Sequence, residues 1–121
     1  MNVTPTPLVL LSGSTSGKSV KIAATATPGT LIHTAVGGTS AFDQIYLWVT
    51  NTDSATRTLT IEYGGTTDPD NLLTKAYAIA ANSTPLAICD GLILNGGLIV
   101  RAFASVANVV LLTGYVKRWA T

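Results

Sequence analysis

Residues 43–65, DQIYLWVTNTDSATRTLTIEYGG, alternate apolar and polar side chains along two successive stretches. A helix repeats roughly every 3.6 residues and cannot keep such a pattern on one side, whereas a strand turns successive side chains to opposite faces. In the first stretch Ile45, Leu47 and Val49 share one face, with Tyr46, Trp48 and Thr50 on the other. In the second, Leu59, Ile61 and Tyr63 oppose Thr58, Thr60 and Glu62. Both are expected to be strands. Residues 51–56 between them are small and polar, and Asn, Asp and Ser suit a turn because they hydrogen-bond nearby backbone. Gly64-Gly65 closes the second stretch. The expectation is a hairpin at the centre of a β-sandwich.

The rest of the chain is punctuated in the same way. Residues 1–17 read as an arm. Pro5 and Pro7 favour extended backbone, Leu8 begins a short apolar run, and residues 12–17 form a Gly/Ser/Thr linker. The domain proper is expected over residues 18–121. Residues 18–27 and 30–36 alternate as strands around the Pro28-Gly29 turn. Residues 72–81 admit two readings: a helix capped by Asp68 with Pro69 in its first turn, or a strand over residues 74–79. The strand is adopted because its surroundings are β. Short strands follow at 86–89 and 92–94 around an Asp90-Gly91 turn. After the Asn95-Gly96-Gly97 connection, longer ones come at 98–105 and 108–118. The last is apolar on both faces, Val110 and Leu112 against Val109 and Leu111, which implies burial on both. About eight or nine strands with closely spaced turns describe an all-β chain: a single-domain antiparallel β-sandwich, jelly-roll-like, with an extended N-terminal arm.

Composition limits the function. A chain of 121 residues is one domain, and 11% of it is charged while 47% is hydrophobic. An ordinary globular domain carries about a quarter charged residues. Disordered chains are polar and charged, so disorder is excluded, and no apolar run reaches the roughly 20 residues of a membrane-spanning helix. The expectation is that other protein covers part of the outside, through oligomerisation or life inside an assembly. The net charge of +1 is scattered, without the basic stripe of a nucleic-acid binder. The N-terminus lacks a basic start and a long apolar core, so it does not read as a secretory signal.

Chemistry-bearing patterns are few. GSTSGKS at 13–19 evokes a phosphate-binding loop, but the glycine spacing is one residue short, and the sequence after it alternates like a strand where that motif opens a helix. Asp68 and Asp70, with Glu62, could supply oxygens to calcium, yet the EF-hand spacing is absent and a solvated turn explains them. His33 is the only histidine and Cys89 the only cysteine. They suggest no triad, zinc cluster or disulfide. No cofactor is expected. Tyr46 and Trp48 share a strand face where they can stack on sugar rings, sit in the core or make a subunit contact. Scarcity of charge favours the contact, because aromatics concentrate at interfaces. The residues singled out for a subunit or capsid interface are Pro5, Pro7, Leu8, Tyr46, Trp48, Val110, Leu112 and Trp119.

A resemblance adds to this. The series GTLIHTAVGGTSAFDQIYLWVTNTDSATRTLTIEYGGTTDPDNLL, AIAANSTPLAI and LILNGGLIVRAFASVANVVLLTGYVKR resembles small virion proteins of tailed bacteriophages, most of all capsid decoration (cement) proteins. It covers the chain from about residue 29 onward. Its motifs are turns and strand ends, and they carry no catalytic residues to transfer. The resemblance implies a non-enzymatic structural protein, made in the bacterial host cytoplasm, that binds the outer surface of a phage capsid as a homotrimer and stabilises it. The partners it implies are further copies of the chain and the major capsid protein, with no nucleic acid and no membrane. Similar folds in head fibres and tail tips imply the alternative of a receptor- or glycan-binding module.

Overall fold

The computed structural model describes residues 8–120. It contains nine strands: β1 (Leu8–Leu10), β2 (Val20–Lys21), β3 (Thr30–Thr34), β4 (Phe42–Asn51), β5 (Arg57–Tyr63), β6 (Leu72–Ile79), β7 (Leu86–Leu94), β8 (Ile99–Ala104) and β9 (Val110–Trp119). No helix occurs among the described residues, so the strand reading of residues 72–81 holds. One sheet has the order β1-β9-β4-β7, with β2 also paired to β9. The other has the order β3-β8-β5-β6. All pairings are antiparallel. Each early strand pairs with its mirror late in the chain: β1 and β2 with β9, β3 with β8, β4 with β7, β5 with β6.

The expected central hairpin is not one. β4 and β5 are strands with the anticipated faces, but they lie in different sheets, and the polar loop carries the chain across the sandwich. Asn51 makes the crossing. Its buried amide donates to the carbonyls of Ala55 (2.9 Å) and Ile79 (3.0 Å), and its Oδ1 accepts the Asp53 N–H. Asn51 also exchanges backbone bonds with Ser83, through the Ser83 hydroxyl and N–H. One buried side chain thus holds the arch, the end of β6 and the next turn together. The 95–97 connection likewise crosses between sheets, from β7 to β8.

Three other expectations change. Most of 18–27 is irregular, with only Val20–Lys21 in a sheet. Residues 86–94 form one strand, whose register slips at two bulges, with Gly91 at φ +83° beside one of them. The arm boundary at residue 18 falls inside the domain. β1 pairs with β9, Leu11 is a core residue, and the Gly13 N–H bonds to Ile32 O at 2.9 Å. Residues 1–7, including Pro5 and Pro7, lie outside the described residues.

The core follows from the alternation. Ile45, Leu47 and Val49 of β4 and Val110, Leu112 and Val116 of β9 meet Leu59 and Ile61 of β5 and Val100 and Ala102 of β8, all at 0% exposure. Burying a Val, Leu or Ile side chain is worth about 1.5–3 kcal/mol, so these residues hold the two sheets together. Val110 and Leu112 are therefore corrected from interface candidates to core. Their register partners Asn51 and Val49 are buried on the same inner side, and the chain's own second sheet covers them. β9 lies close against β4 because of Gly114. A Cβ there would meet Tyr46 O at 1.9 Å, so any side chain would push the two strands apart.

Candidate interaction surface

Besides the Asn51 arch, two polar clusters among the described residues concentrate hydrogen bonds, and both fasten segments of the fold. In the first, Asp43, at 0% exposure, accepts Arg118 Nε on Oδ1 (2.7 Å) and Arg118 Nη2 on Oδ2 (3.0 Å). The same Oδ2 receives His33 Nε2 (2.8 Å) and the Val36 N–H (3.1 Å). Burial alone would raise the Asp43 carboxyl, but the hydrogen bonds from Arg118 and His33 outweigh it and hold the pKa below its ordinary value. On the other side of the ring, His33 Nδ1 accepts the Ser12 N–H at 3.1 Å, and Ser12 Oγ stands 3.1 Å from the same nitrogen.

Ser12, His33 and Asp43 thus meet in an order that resembles a hydrolytic triad, which the sequence did not suggest. Its details differ. An N–H already occupies the Nδ1 lone pair that would have to take the serine proton, while Ser12 Oγ accepts the Thr34 N–H at 3.1 Å. A general base needs that lone pair free. The cluster is a clamp that ties the N-terminal segment, β3, β4 and β9 together.

The second cluster is Glu62, 1% exposed on the outer side of β5. Its Oε1 accepts the Gly29 N–H (2.7 Å) and its Oε2 the Thr27 hydroxyl (2.5 Å), while Arg101 Nη1 donates to Gly29 O (3.3 Å). The segment before β3 is so drawn across the outer face of its sheet. Glu62 is therefore not beside Asp68, which pairs instead with Lys75 at 2.8 Å. No group of three or more His, Cys, Asp or Glu placed to hold a metal occurs among the described residues. The 13–19 loop runs into β2, without a helix, and borders a groove of about 610 Å³ with Lys18, Lys21 and Thr30. Cys89 is buried, donates to Ile45 O at 3.3 Å, and has its thiol pKa raised by that burial. A protonated, enclosed thiol is a poor nucleophile.

The outer face of the β1-β9-β4-β7 sheet is different. Registered residues lie on the same side, so the face can be read row by row. Ile93, Gln44, Lys117 and Leu8 form one row, and Asp90, Tyr46, Tyr115 and Leu10 the next. Ala87, Trp48 and Thr113 follow, then Thr50, Leu111 and Lys21. Tyr115 stacks on Tyr46 (centroids 5.0 Å apart, 20° between planes) and on Trp48 (5.9 Å, 26°). Lys117 Nζ lies 5.3 Å from the Tyr46 centroid. At the end of the face Trp119 Nε1 donates to Gln44 Oε1 (3.1 Å). Leu8 is 67% exposed and Ile93 58%.

Tyr46, Trp48, Leu8 and Trp119, which the sequence singled out, are thus gathered on one face. Tyr115 belongs with them, although in the sequence it read only as one of the apolar positions of the last strand. The missed signal was its place two residues from both Thr113 and Lys117, which puts it on the outward side. The stack also limits what this face can bind. Both faces of the Tyr115 ring are turned to its neighbours, and each neighbour gives one of its own faces to the stack, whereas sugars stack on open ring faces.

Comparison of the chain with protein families, with curated proteins and with solved structures returned no match.

Proposed function

We propose that this protein is a non-enzymatic structural component of a phage virion, binding the outer surface of the capsid as a trimer and stabilising it. The observation that carries this is the outer face of the β1-β9-β4-β7 sheet. It has an aromatic ridge flanked by exposed leucine and isoleucine, with Lys21, Asp90 and Lys117 as its only charged positions in the four registered rows. A large apolar patch of this kind marks a surface that other protein covers. The mirrored strand pairing supports a jelly roll, two Greek keys wound from one long antiparallel ribbon, as the topology behind it. A cement protein acts by bridging neighbouring capsid subunits with many weakly bound copies together, and it needs complementary area more than chemistry. The resemblance to decoration proteins points the same way.

The test is incubation of the purified protein with expanded, undecorated heads. Saturable binding and greater heat resistance of the particles are expected. Absence of binding, with particles equally heat-resistant, overturns the proposal. Glycan capture on a fibre or tail tip is the rival, and specific glycan binding lost in Trp48→Ala with the fold intact would establish it. The stacking of Tyr115 between Tyr46 and Trp48 weighs against it, because it occupies ring faces a sugar would use.

A further inference from the structure

The glycine- and serine-rich loop at residues 13–19 is tightly bonded to the domain. The Gly13 N–H donates to Ile32 O (2.9 Å), the Ser14 N–H to Leu11 O (2.9 Å) and the Lys18 N–H to Thr15 O (3.0 Å). The Ser14 hydroxyl donates to Lys18 O (2.6 Å), and Ser16 and Gly17 turn the chain at φ +56° and +83°. A Cβ at Gly13 would meet Leu31 O at 2.3 Å, so only glycine lets the loop approach β3 this closely. The backbone of Lys18 is thereby fixed by its turn, and that of Lys21 by its register with Leu111 of β9. Both lysines border the groove of about 610 Å³ between the loop, β2 and the start of β3.

The chemistry of this groove is one-sided. The chain has seven Lys and Arg and six Asp and Glu, yet no acidic residue lines it. Elsewhere the cations are engaged. Arg57, Lys75 and Arg118 form ion pairs, Arg101 donates to Gly29 O, and Lys117 lies against the Tyr46 ring. Lys18 and Lys21 remain, both exposed, and neither is paired with a carboxylate among the described residues. Thr30 adds a third donor. Its Oγ1 accepts the N–H groups of Ala23 (3.2 Å) and Ala24 (3.0 Å), which occupies both lone pairs and leaves the hydroxyl able only to donate. No acceptor for that proton occurs among the described residues. Leu31, 37% exposed, supplies an apolar wall.

We infer that this groove binds an acidic peptide segment of a partner protein. Side-chain carboxylates of the segment meet Lys18 and Lys21, a further acceptor oxygen meets the Thr30 hydroxyl, and an apolar side chain packs on Leu31. Donors gathered without an acceptor select an anion. The rest of the lining selects a peptide over a free ion. The volume exceeds that of a single anionic group, the donors are spread over the loop, β2 and β3, and the exposed leucine offers a contact that an inorganic ion does not use. The groove is a different surface from the aromatic ridge, so the inference goes beyond the virion reading and does not depend on it.

The test titrates the full chain at low salt with four probes: a blocked tetra-glutamate, a blocked peptide with a leucine between two pairs of glutamates, tetra-glutamine and inorganic phosphate. Amide NMR shifts report the place of binding and calorimetry its strength. The acidic peptides are expected to saturate, to shift the amides of residues 15–21 and 30–31, and to weaken as salt screens the charges. The leucine-containing peptide should bind the tighter of the two, and tetra-glutamine should not bind. Lys18→Gln and Lys21→Gln should each weaken binding about threefold and together about tenfold, the scale of exposed ion pairs, while Lys117→Gln leaves it unchanged. The amide spectra show that each variant keeps its fold. Absence of saturable peptide binding overturns the site, as does binding that the double lysine variant leaves unchanged. Phosphate that saturates the groove while the peptides bind no tighter overturns the peptide occupant. The same amide shifts produced by raising the protein concentration alone would put a second copy there and overturn the partner segment.

Discussion

The two flanks of the sandwich are built from the same kinds of residue and finished in opposite ways. On the β1/β2–β3 side the chain seals its own core. Leu11 and Ile22 plug the gap, and the Ser12–His33–Asp43–Arg118 cluster bolts the plug to both sheets. On the β6–β7 side Tyr77, Leu86 and Leu92 turn inward and remain half in water. Each half-exposed leucine on that side forgoes part of its burial energy. The difference separates residues the fold closes over from residues it leaves open, and substitutions can pull the two apart.

The largest effect is expected at Asp43. Asp43→Ala leaves His33 buried without its acceptor and releases Arg118, and removing one member of a buried pair costs about 4 kcal/mol. Urea unfolding should show the midpoint falling by that equivalent. If the loss is below about 1 kcal/mol, the sealed flank is not held by this cluster. The same group sets the acid limit. The Asp43 pKa is lower in the folded protein than its ordinary value of 3.8, so its stabilisation is complete above that value. It drains away as pH falls from there through the folded value. Melting temperature in wild type should therefore drop below about pH 4 more steeply than in Asp43→Asn.

Leu11→Ala comes next, at about 3 kcal/mol, the usual cost of a cavity in a closed core. It is also the clearest case of what the sequence concealed. Residues 1–17 read as an arm because proline, glycine and serine dominate them, and local composition does not reveal that one leucine swings back under β3. The faces of β4 were legible, because alternation is local: Ile45, Leu47 and Val49 are buried and Tyr46 and Trp48 outward, as their spacing implied. Which strand each face would meet was not legible. Pairing is decided by contacts far apart in the chain, such as Asp43 with Arg118, 75 positions away. For the same reason the polar loop after β4 read as a hairpin turn, although the amide of Asn51 uses it to change sheets. In β9, apolar residues on both sides hid which row was core, so Val110 and Leu112 read as surface candidates while Tyr115 was not singled out.

Tyr63→Phe should have the opposite sign. The Tyr63 hydroxyl is buried with no hydrogen-bond partner among the described residues, and burial raises its pKa. Removing an unsatisfied buried hydroxyl while keeping the ring returns its desolvation cost, about 1 kcal/mol of added stability. Thermal unfolding would detect this as a rise of several degrees for a domain of this size. A fall would mean that the hydroxyl has a partner, such as an ordered water between the sheets.

The smallest expected effect on folding is at Leu92, and it is the one that tests the contrast most directly. Leu92 and Leu11 are the same residue type, both in register with or packed on the core. Leu92 nevertheless keeps 45% of its surface in water against 2% for Leu11. In a dissociated chain Leu92→Ala removes little buried area and leaves no closed cavity, so it should cost no more than about 0.5 kcal/mol, as at a surface position. If the flank is covered in the assembled protein, the same substitution should cost far more when unfolding is measured on the oligomer, and its penalty should grow with protein concentration. A Leu92→Ala penalty equal to that of Leu11→Ala in the isolated chain would show that the flank closes on itself in solution. The two sides of the sandwich would then be alike after all.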